Sequence, residues 1–136
     1  MRPIAIDTNA YTAFKRGEAA VVEVLQHATD ILMSATVLGE LLAGFAAGTR
    51  ESANRRELTM FLDSPRVRIV PSNAVTADSY ALIYASLRRK GQPIPTNDLW
   101  IAASCLEHGA ALLTLDAHFD YVGGLRSGAR LDQFLP

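Results

Sequence analysis

Two apolar runs in this sequence of 136 residues each lead into an aspartate. Ile4-Ala5-Ile6 is followed directly by Asp7, and the run Ala110–Leu115 is followed by Asp116. Short apolar runs without polar alternation are typical of buried parallel strands. The carboxyl ends of parallel strands meet at one edge of a sheet, where such folds bind their ligands. We therefore expect the Asp7 and Asp116 carboxylates to lie close together at that edge.

Asp7 also has a simpler interpretation, as a residue that caps a helix. Thr8-Asn9-Ala10-Tyr11 is typical of a cap and first turn, and either Asp7 or Thr8 suits the N-cap position. From this stretch alone, a structural cap and a catalytic carboxylate both remain open.

A third acidic residue, Asp98, stands in the first turn of a helix predicted from Asp98 to His108, with Thr96 or Asn97 as its cap. A helical wheel places Asp98 on the apolar face of this helix. Burying an uncompensated carboxylate costs several kcal/mol. Asp98 must therefore cap its helix, pair with a cation, take up a proton or bind a metal.

Glu40 is the fourth candidate, in a helix that Ser34 or Thr36 is expected to cap. It lies one position too deep to form a capping box with Thr36. Considered alone, a solvated position on the helix surface is the simpler interpretation of Glu40.

These four carboxylates would repel one another if they converged, by roughly 3 kcal/mol per pair at about 5 Å and an effective dielectric constant near 20. Mg²⁺ and Mn²⁺ prefer oxygen ligands, retain bound waters and leave positions open for phosphate oxygens. An acidic centre of this kind suits the metal-assisted hydrolysis of phosphodiester bonds.

Strand-like and helix-like segments alternate along the chain, which predicts an α/β fold. The fold class that we expect is a three-layer α/β/α sandwich with a central, mostly parallel sheet, formed as a single domain over residues 1–136. After Phe119 the pattern predicts only a weak edge strand. The other expected strands are Ile31–Met33 and Val67–Val70, and the other expected helices run from Glu18 to Ala28, from Thr49 to Asp63 and from Asn73 to Lys90.

The net charge of −1 excludes a strong overall attraction to nucleic acid, so phosphate contacts would have to come from local clusters of cations. Solvated helix faces are the alternative interpretation of the same cations. A single cysteine excludes an intrachain disulfide, and no signal peptide or membrane span is apparent, which predicts a cytoplasmic protein without membrane contact. The candidate phosphate contacts are Lys15, Arg16, Arg50, Arg55 and Arg56.

Four motifs, in this order across nearly the whole chain, resemble the PIN-domain pattern and most closely that of VapC-type toxins. The resemblance implies a magnesium- or manganese-dependent endoribonuclease, usually a homodimer, that a cognate antitoxin protein holds inactive. The motifs are Asp7-Thr8-Asn9, Ser34-Ala35-Thr36-Val37-Leu38-Gly39-Glu40-Leu41, Asn97-Asp98-Leu99-Trp100-Ile101-Ala102-Ala103 and Leu113-Thr114-Leu115-Asp116-Ala117-His118-Phe119.

Carried over residue by residue, the resemblance assigns metal ligation and catalysis to Asp7, Glu40, Asp98 and Asp116, with Thr114 as a supporting hydroxyl. We expect Thr8 and Asn9 to hold Asp7 in place by hydrogen bonds. The role of His118 stays open between a function near the site and simple packing beside a strand end.

Two other functions compete with RNA cleavage. An aspartyl phosphotransferase or phosphatase would use Asp7 as its nucleophile, but haloacid-dehalogenase-like proteins carry a second aspartate two residues on, where Asn9 stands here. A receiver-like, magnesium-binding interaction module would need a lysine after a late strand, and no lysine follows Lys90.

Overall fold

Five short parallel strands form one sheet at the centre of the computed structural model, which describes residues 1–136. Their order across the sheet is β3-β2-β1-β4-β5, so β1 lies in the middle although it comes first in the chain. Every pairing is parallel. The strands are β1 Ile4–Ile6, β2 Ile31–Ser34, β3 Val67–Val70, β4 Ala111–Leu113 and β5 Ser127–Gly128.

Six α-helices flank the sheet, which confirms the expected three-layer α/β/α fold. The residues of β1, β2 and β4 are all buried, because helices cover the sheet on both faces. None of the helices combines the length and the apolar character that a bilayer crossing requires. The helices are α1 Thr8–Lys15, α2 Ala19–His27, α3 Ala35–Ala47, α4 Glu51–Leu62, α5 Ala74–Lys90 and α6 Thr96–His108.

Local sequence signals set most of the helix ends. The hydroxyl of Ser34 accepts a hydrogen bond from the Val37 N–H at 3.3 Å and caps α3, so Ser34 rather than Thr36 has this role. Asn73 caps α5, and Gly91 and Gly109 end α5 and α6 in the left-handed conformation that suits glycine.

The start of α6 differs from the expectation that Thr96 or Asn97 would cap it. The helix begins at Thr96, with Pro95 at the N-cap position and no side-chain cap. Proline is extended here and fixes the entry into the helix without a capping hydrogen bond. Asn97 and Asp98 consequently both lie in the first turn, where Asn97 is free to bond elsewhere.

The expected weak edge strand is present as β5, and it is only two residues long. Gln133 stabilises the turn that follows β5, because its Oε1 accepts hydrogen bonds from the N–H groups of Ala129 and Arg130 at 2.8 and 2.9 Å. A Cβ on Gly128 would come within 2.6 Å of the Gln133 side chain, so this turn requires glycine. The Gly128 carbonyl in turn accepts a hydrogen bond from the Thr114 N–H at 2.9 Å, which ties the C-terminal segment to the end of β4.

The buried apolar side chains form one cluster that includes residues of β1, β2, β3 and β4. A single core suits one domain over residues 1–136, and that boundary stays a prediction.

Candidate active site

The ends of β1 and β4 lie side by side, as the apolar runs predict. Ile6 pairs with Leu113 in the parallel register, and the next residues along the two strands are Asp7 and Thr114. The Asp7 N–H donates to the Leu113 carbonyl at 3.3 Å, and the Thr114 hydroxyl donates a short hydrogen bond to Oδ2 of Asp7. The site therefore begins where two neighbouring strands stop.

Asp7 caps α1 and also reaches the candidate site, so the two interpretations of this residue are compatible. Its Oδ1 accepts a hydrogen bond from the Ala10 N–H at 2.9 Å. The residue is only 4% exposed. Burial raises the pKa of Asp7 to about 6, against the lowering effects of the Thr114 and Ala10 hydrogen bonds, and the nearby Asp98 and Asp116 charges raise it further. Asp7 is thus held in place but incompletely compensated as an anion.

Glu40 projects from α3, is partly exposed and accepts a hydrogen bond at each carboxylate oxygen. Thr8 Oγ1 donates to its Oε1 at 2.6 Å, and Asn97 Nδ2 donates to its Oε2 at 3.2 Å. Three elements, α1, α3 and α6, consequently meet at this carboxylate. Glu40 therefore keeps some contact with solvent, as it suggests on its own, but it also has partners on two other helices.

Asp98, Asp116 and His118 form the outer part of the site. The His118 Nε2 lies 2.7 Å from Asp98 Oδ2, and its Nδ1 lies 2.8 Å from Asp116 Oδ1. Burial raises the pKa of Asp98, the His118 contact lowers it, and the charges of Asp116 and Glu40 raise it, with a net increase. Asp98 makes no hydrogen bond to the backbone of its own helix, so the capping interpretation of this residue is not supported.

One cavity of about 400 Å³ opens onto all four predicted carboxylates. Arg16, at the C-terminal end of α1, is the only cation in its wall. The lining residues are Asp7, Thr8, Asn9, Thr12, Ala13, Arg16, Glu40, Asp98, Ile101, Leu115 and Asp116.

The supporting residues have different partners from those expected. Thr8 bonds to Glu40, and Asn9 Oδ1 accepts from the Leu115 N–H at 3.2 Å, so neither one holds Asp7. Both oxygens of Asp7 are already bonded, to Ala10 and Thr114. Thr114 has the predicted supporting position, and its Oγ1 also accepts from the Asp116 N–H at 3.0 Å.

The structure separates the five predicted RNA-binding cations. Arg16 lines the cavity, whereas Lys15 lies 3.7 Å from Glu57 and Arg55 lies 3.6 Å from Glu51. The side chains of Arg50 and Arg56 are exposed near the start of α4 and do not line the cavity.

Sequence reasoning missed two contributors to the site. Asn97 was expected as a helix cap, and its bond to Glu40 depends on the packing of α3 against α6, which no local pattern reports. His118 was left open, although its position two residues after Asp116 places it at the same strand end. That proximity was the available signal.

The donor set fits a divalent cation. Carboxylate oxygens face one cavity, the buried Asp7 is incompletely compensated as an anion, and a carboxylate oxygen of Asp98 lies within 4.8 Å of one of Asp116. Oxygen donors in this number suit Mg²⁺ or Mn²⁺. Buried carboxylates that raise one another's pKa are a common feature of catalytic centres.

Sequence comparison matches this chain to one protein family. The PIN domain sequence model matches residues 4–125. Ribonuclease VapC11 of Mycobacterium tuberculosis is 32% identical over 126 residues, which cover 88% of this chain and 90% of that protein. Ribonuclease VapC4 of the same organism is 32% identical over 84 residues, covering 62% of this chain and 65% of that protein.

A solved structure of VapBC2 from Rickettsia felis, bound to a DNA fragment from the VapBC2 promoter, superposes on this chain with a TM-score of 0.83. The identity is 25%, and the match covers 93% of this chain and 97% of the other. The parallel five-stranded order, the acidic strand ends and these matches agree: the chain belongs to the PIN-domain family and, within it, to the VapC ribonucleases.

Proposed function

We propose that this protein is a Mg²⁺- or Mn²⁺-dependent endoribonuclease and the toxin of a toxin–antitoxin pair. The observation that carries the proposal is the convergence of four acidic side chains from four separate elements on one cavity. The relatives named as VapC ribonucleases support RNA as the substrate.

The proposed ligands are Asp7, Glu40, Asp98 and Asp116. A bound divalent cation would supply an activated water and polarise the phosphate that is attacked. Protein hydrogen bonds fix two of these carboxylates in advance: Ala10 and Thr114 hold Asp7, and Thr8 and Asn97 hold Glu40. Preset donors of this kind reduce the rearrangement that binding requires.

Arg16 supplies positive charge at the wall of the acidic cavity, in a position to contact a phosphate of the RNA. An arginine fork bonds two phosphate oxygens at once, which orients the backbone as well as attracting it. We propose Arg16 as the main phosphate contact among the five predicted cations, since Lys15 and Arg55 already have acidic partners.

The residue two positions after Asp7 disfavours the aspartyl phosphotransferase. Haloacid-dehalogenase-like proteins carry a second aspartate there, and this chain has Asn9, whose Oδ1 accepts a hydrogen bond from the Leu115 N–H at 3.2 Å. An amide held in this way cannot act as the general acid that phosphoryl transfer through Asp7 would need.

The partner proposal rests on the solved VapBC2 structure from Rickettsia felis, whose matched chain is 25% identical to this one. We propose that a cognate antitoxin binds this chain, that the chain forms a homodimer and that it acts in the cytoplasm. Co-purification with the product of the adjacent upstream reading frame, followed by light scattering of the free chain, tests the first two statements.

The test of the chemistry is cleavage of a defined RNA panel in chelator, in Mg²⁺ and in Mn²⁺. We expect cleavage in either metal and none in chelator. Asp7→Asn should lower cleavage about 100-fold or more, while Asp78→Asn, which alters an exposed carboxylate on α5 outside the cavity, should leave it unchanged. Equal cleavage in chelator would contradict the proposal.

A further inference from the structure

The imidazole of His118 lies between two carboxylates but outside the cavity that they line. Nε2 is 2.7 Å from Oδ2 of Asp98, and Nδ1 is 2.8 Å from Oδ1 of Asp116. Asp98 and Asp116 line the cavity, whereas His118 does not. The ring thus contacts one oxygen of each carboxylate and leaves the second oxygen, Asp98 Oδ1 or Asp116 Oδ2, outside these contacts.

This placement differs from that of a histidine ligand. The two ring nitrogens point in divergent directions, and here each one is close to a different carboxylate. Neither nitrogen is free to face the cavity unless one of these contacts is broken. Nε2 is buried and makes no aligned hydrogen bond, so its 2.7 Å approach to Asp98 has no competing acceptor.

His118 is itself held firmly. It belongs to a 3₁₀ turn over Ala117–Tyr121, and its ring centroid lies 4.8 Å from that of Phe119. Phe119 is 1% exposed and belongs to the core. A core residue therefore anchors the ring that contacts both carboxylates.

Asp98 and Asp116 lack the hydrogen bonds that fix the other two acidic side chains. Asp7 and Glu40 each accept two hydrogen bonds from the protein, whereas the side chains of Asp98 and Asp116 have the ring nitrogens of His118 as their close polar partners. Partners that orient metal-binding side chains from outside the coordination shell typically change metal affinity 10- to 100-fold when removed.

We propose that His118 is a positioning residue, which holds Asp98 and Asp116 in the orientation that a divalent cation requires without bonding to the cation. The inference rests on the proposed metal-dependent function. It adds a residue that the four-carboxylate assignment omits.

The experiment measures Mn²⁺ binding by the electron paramagnetic resonance signal of free Mn²⁺, for the parent and three variants. His118→Phe keeps a ring beside Phe119 but removes both nitrogens, and we expect Mn²⁺ affinity to fall about 10- to 100-fold. His118→Asn and His118→Gln each retain one donor, near the position of Nδ1 or of Nε2, and their affinities should lie between those of the parent and of His118→Phe. His27→Phe alters an exposed histidine on α2 and should leave affinity unchanged.

A parallel titration with Ni²⁺ separates positioning from ligation. A positioning residue should weaken Ni²⁺ and Mn²⁺ binding by the same factor, because its removal disturbs only the carboxylates. A nitrogen ligand would affect Ni²⁺ far more than Mn²⁺, since imidazole favours the former. That outcome would overturn the proposal, as would unchanged or tighter Mn²⁺ binding in His118→Phe.

Thermal melts in chelator check that each variant is folded, and the Asn and Gln variants carry the test if the Phe variant is not. The parent provides the last distinction. A parent that binds no Mn²⁺ would overturn the proposed function together with this inference. A parent that binds Mn²⁺ and cleaves RNA, with variants of unaltered affinity, would overturn this inference alone.

Discussion

The two strand ends that build the site hold their carboxylates in opposite ways. After β1 the acidic residue follows at once, so Asp7 starts a helix, accepts two hydrogen bonds and is 4% exposed. After β4 the acidic residue comes two positions later than Thr114, and the Asp116 side chain is 41% exposed beside His118. Ile6 and Leu113, the last residues of β1 and β4, are paired with each other. The two ends differ in the number of residues between the strand and its carboxylate: Asp7 follows Ile6 directly, and Asp116 is the third residue after Leu113.

This difference separates a buried carboxylate fixed by two hydrogen bonds from a partly exposed one beside a histidine. Burial raises the pKa of Asp7, and the hydrogen bonds from Ala10 and Thr114 fix the orientation of its carboxylate. Asp116 retains solvent contact, and the only close side-chain partner of its carboxylate is His118. Four predictions test how far the two ends differ, beginning with the largest expected effect.

The first prediction concerns activity. Asp7→Asn should lower metal-dependent RNA cleavage about 100-fold or more, because it removes charge from the buried centre of the site. Asp116→Asn should have a smaller effect, since water can replace a ligand at an exposed position. Single-turnover cleavage rates at saturating Mn²⁺ measure both. Equal losses in the two variants would show that the two strand ends contribute alike to cleavage. Asp98→Asn is expected to lower the rate as much as Asp7→Asn.

The second prediction concerns stability in chelator. The folded state binds the Asp7 proton more tightly than the unfolded state, because the pKa is raised from 3.8 to about 6. The parent should therefore lose stability as pH rises from about 4 to above 6, by at most about 3 kcal/mol at 1.4 kcal/mol per pKa unit.

Asp7→Asn keeps the capping acceptor and removes this charge, so it should be more stable than the parent at pH 8 and similar at pH 4. Urea unfolding at both pH values measures the difference. Asp116→Asn is the matched variant at the exposed strand end and should show little change with pH. A less stable Asp7→Asn at pH 8 would mean that the residue is chiefly a structural cap.

The third prediction addresses the link between the two ends. Thr114→Val keeps the shape of the side chain but removes the hydroxyl that donates to Asp7 and accepts from the Asp116 N–H. We expect a loss of about 2 kcal/mol in unfolding free energy, as for a hydrogen bond to a charged group. The pKa of Asp7 should also rise above its present value of about 6. A carboxyl carbon NMR titration follows that pKa, and Thr114→Ser should restore both quantities.

The fourth and smallest effect concerns substrate binding at the wall of the cavity. Arg16→Gln should reduce the slope of log affinity against log salt by about 0.7, the value for one contact to single-stranded nucleic acid. Arg56→Gln, an exposed change on α4 outside the cavity, is the control. Binding of a non-cleaved RNA in chelator provides the slopes. An unchanged slope for Arg16→Gln with a reduced slope for Arg56→Gln would move the RNA path to α4.

Sequence reasoning recovers the fold because its signals are local. Ile4–Ile6 and Ala111–Leu113 are apolar throughout, as a sheet covered on both faces requires, and glycines mark the ends of α5 and α6. The start of α6 was wrong because Pro95, rather than a polar cap, sets it. Strand β5 is too short for any pattern to define its bounds.

For the site, the sequence predicts which acidic residues are candidates but not which side chains form hydrogen bonds with them. Asp7 and Thr114 become partners because β1 and β4 are neighbours, a contact between residues separated by 107 positions. Thr8 was assigned to Asp7 and instead bonds to Glu40 across α1 and α3. Such choices depend on packing between elements, and no single stretch of sequence contains that information.

The central position of β1 has a consequence for the chain as it is synthesised. β1, β2 and β3 leave the ribosome before β4, and in the partial sheet β1 is an open edge because its later neighbour, β4, has not yet been synthesised. A nascent chain that ends before α6 contains Asp7 and Glu40 but neither Asp98 nor Asp116. A protein proposed to cut RNA is thus synthesised by a ribosome that itself contains RNA, and its acidic centre is complete only after α6 and the residues following β4 have emerged.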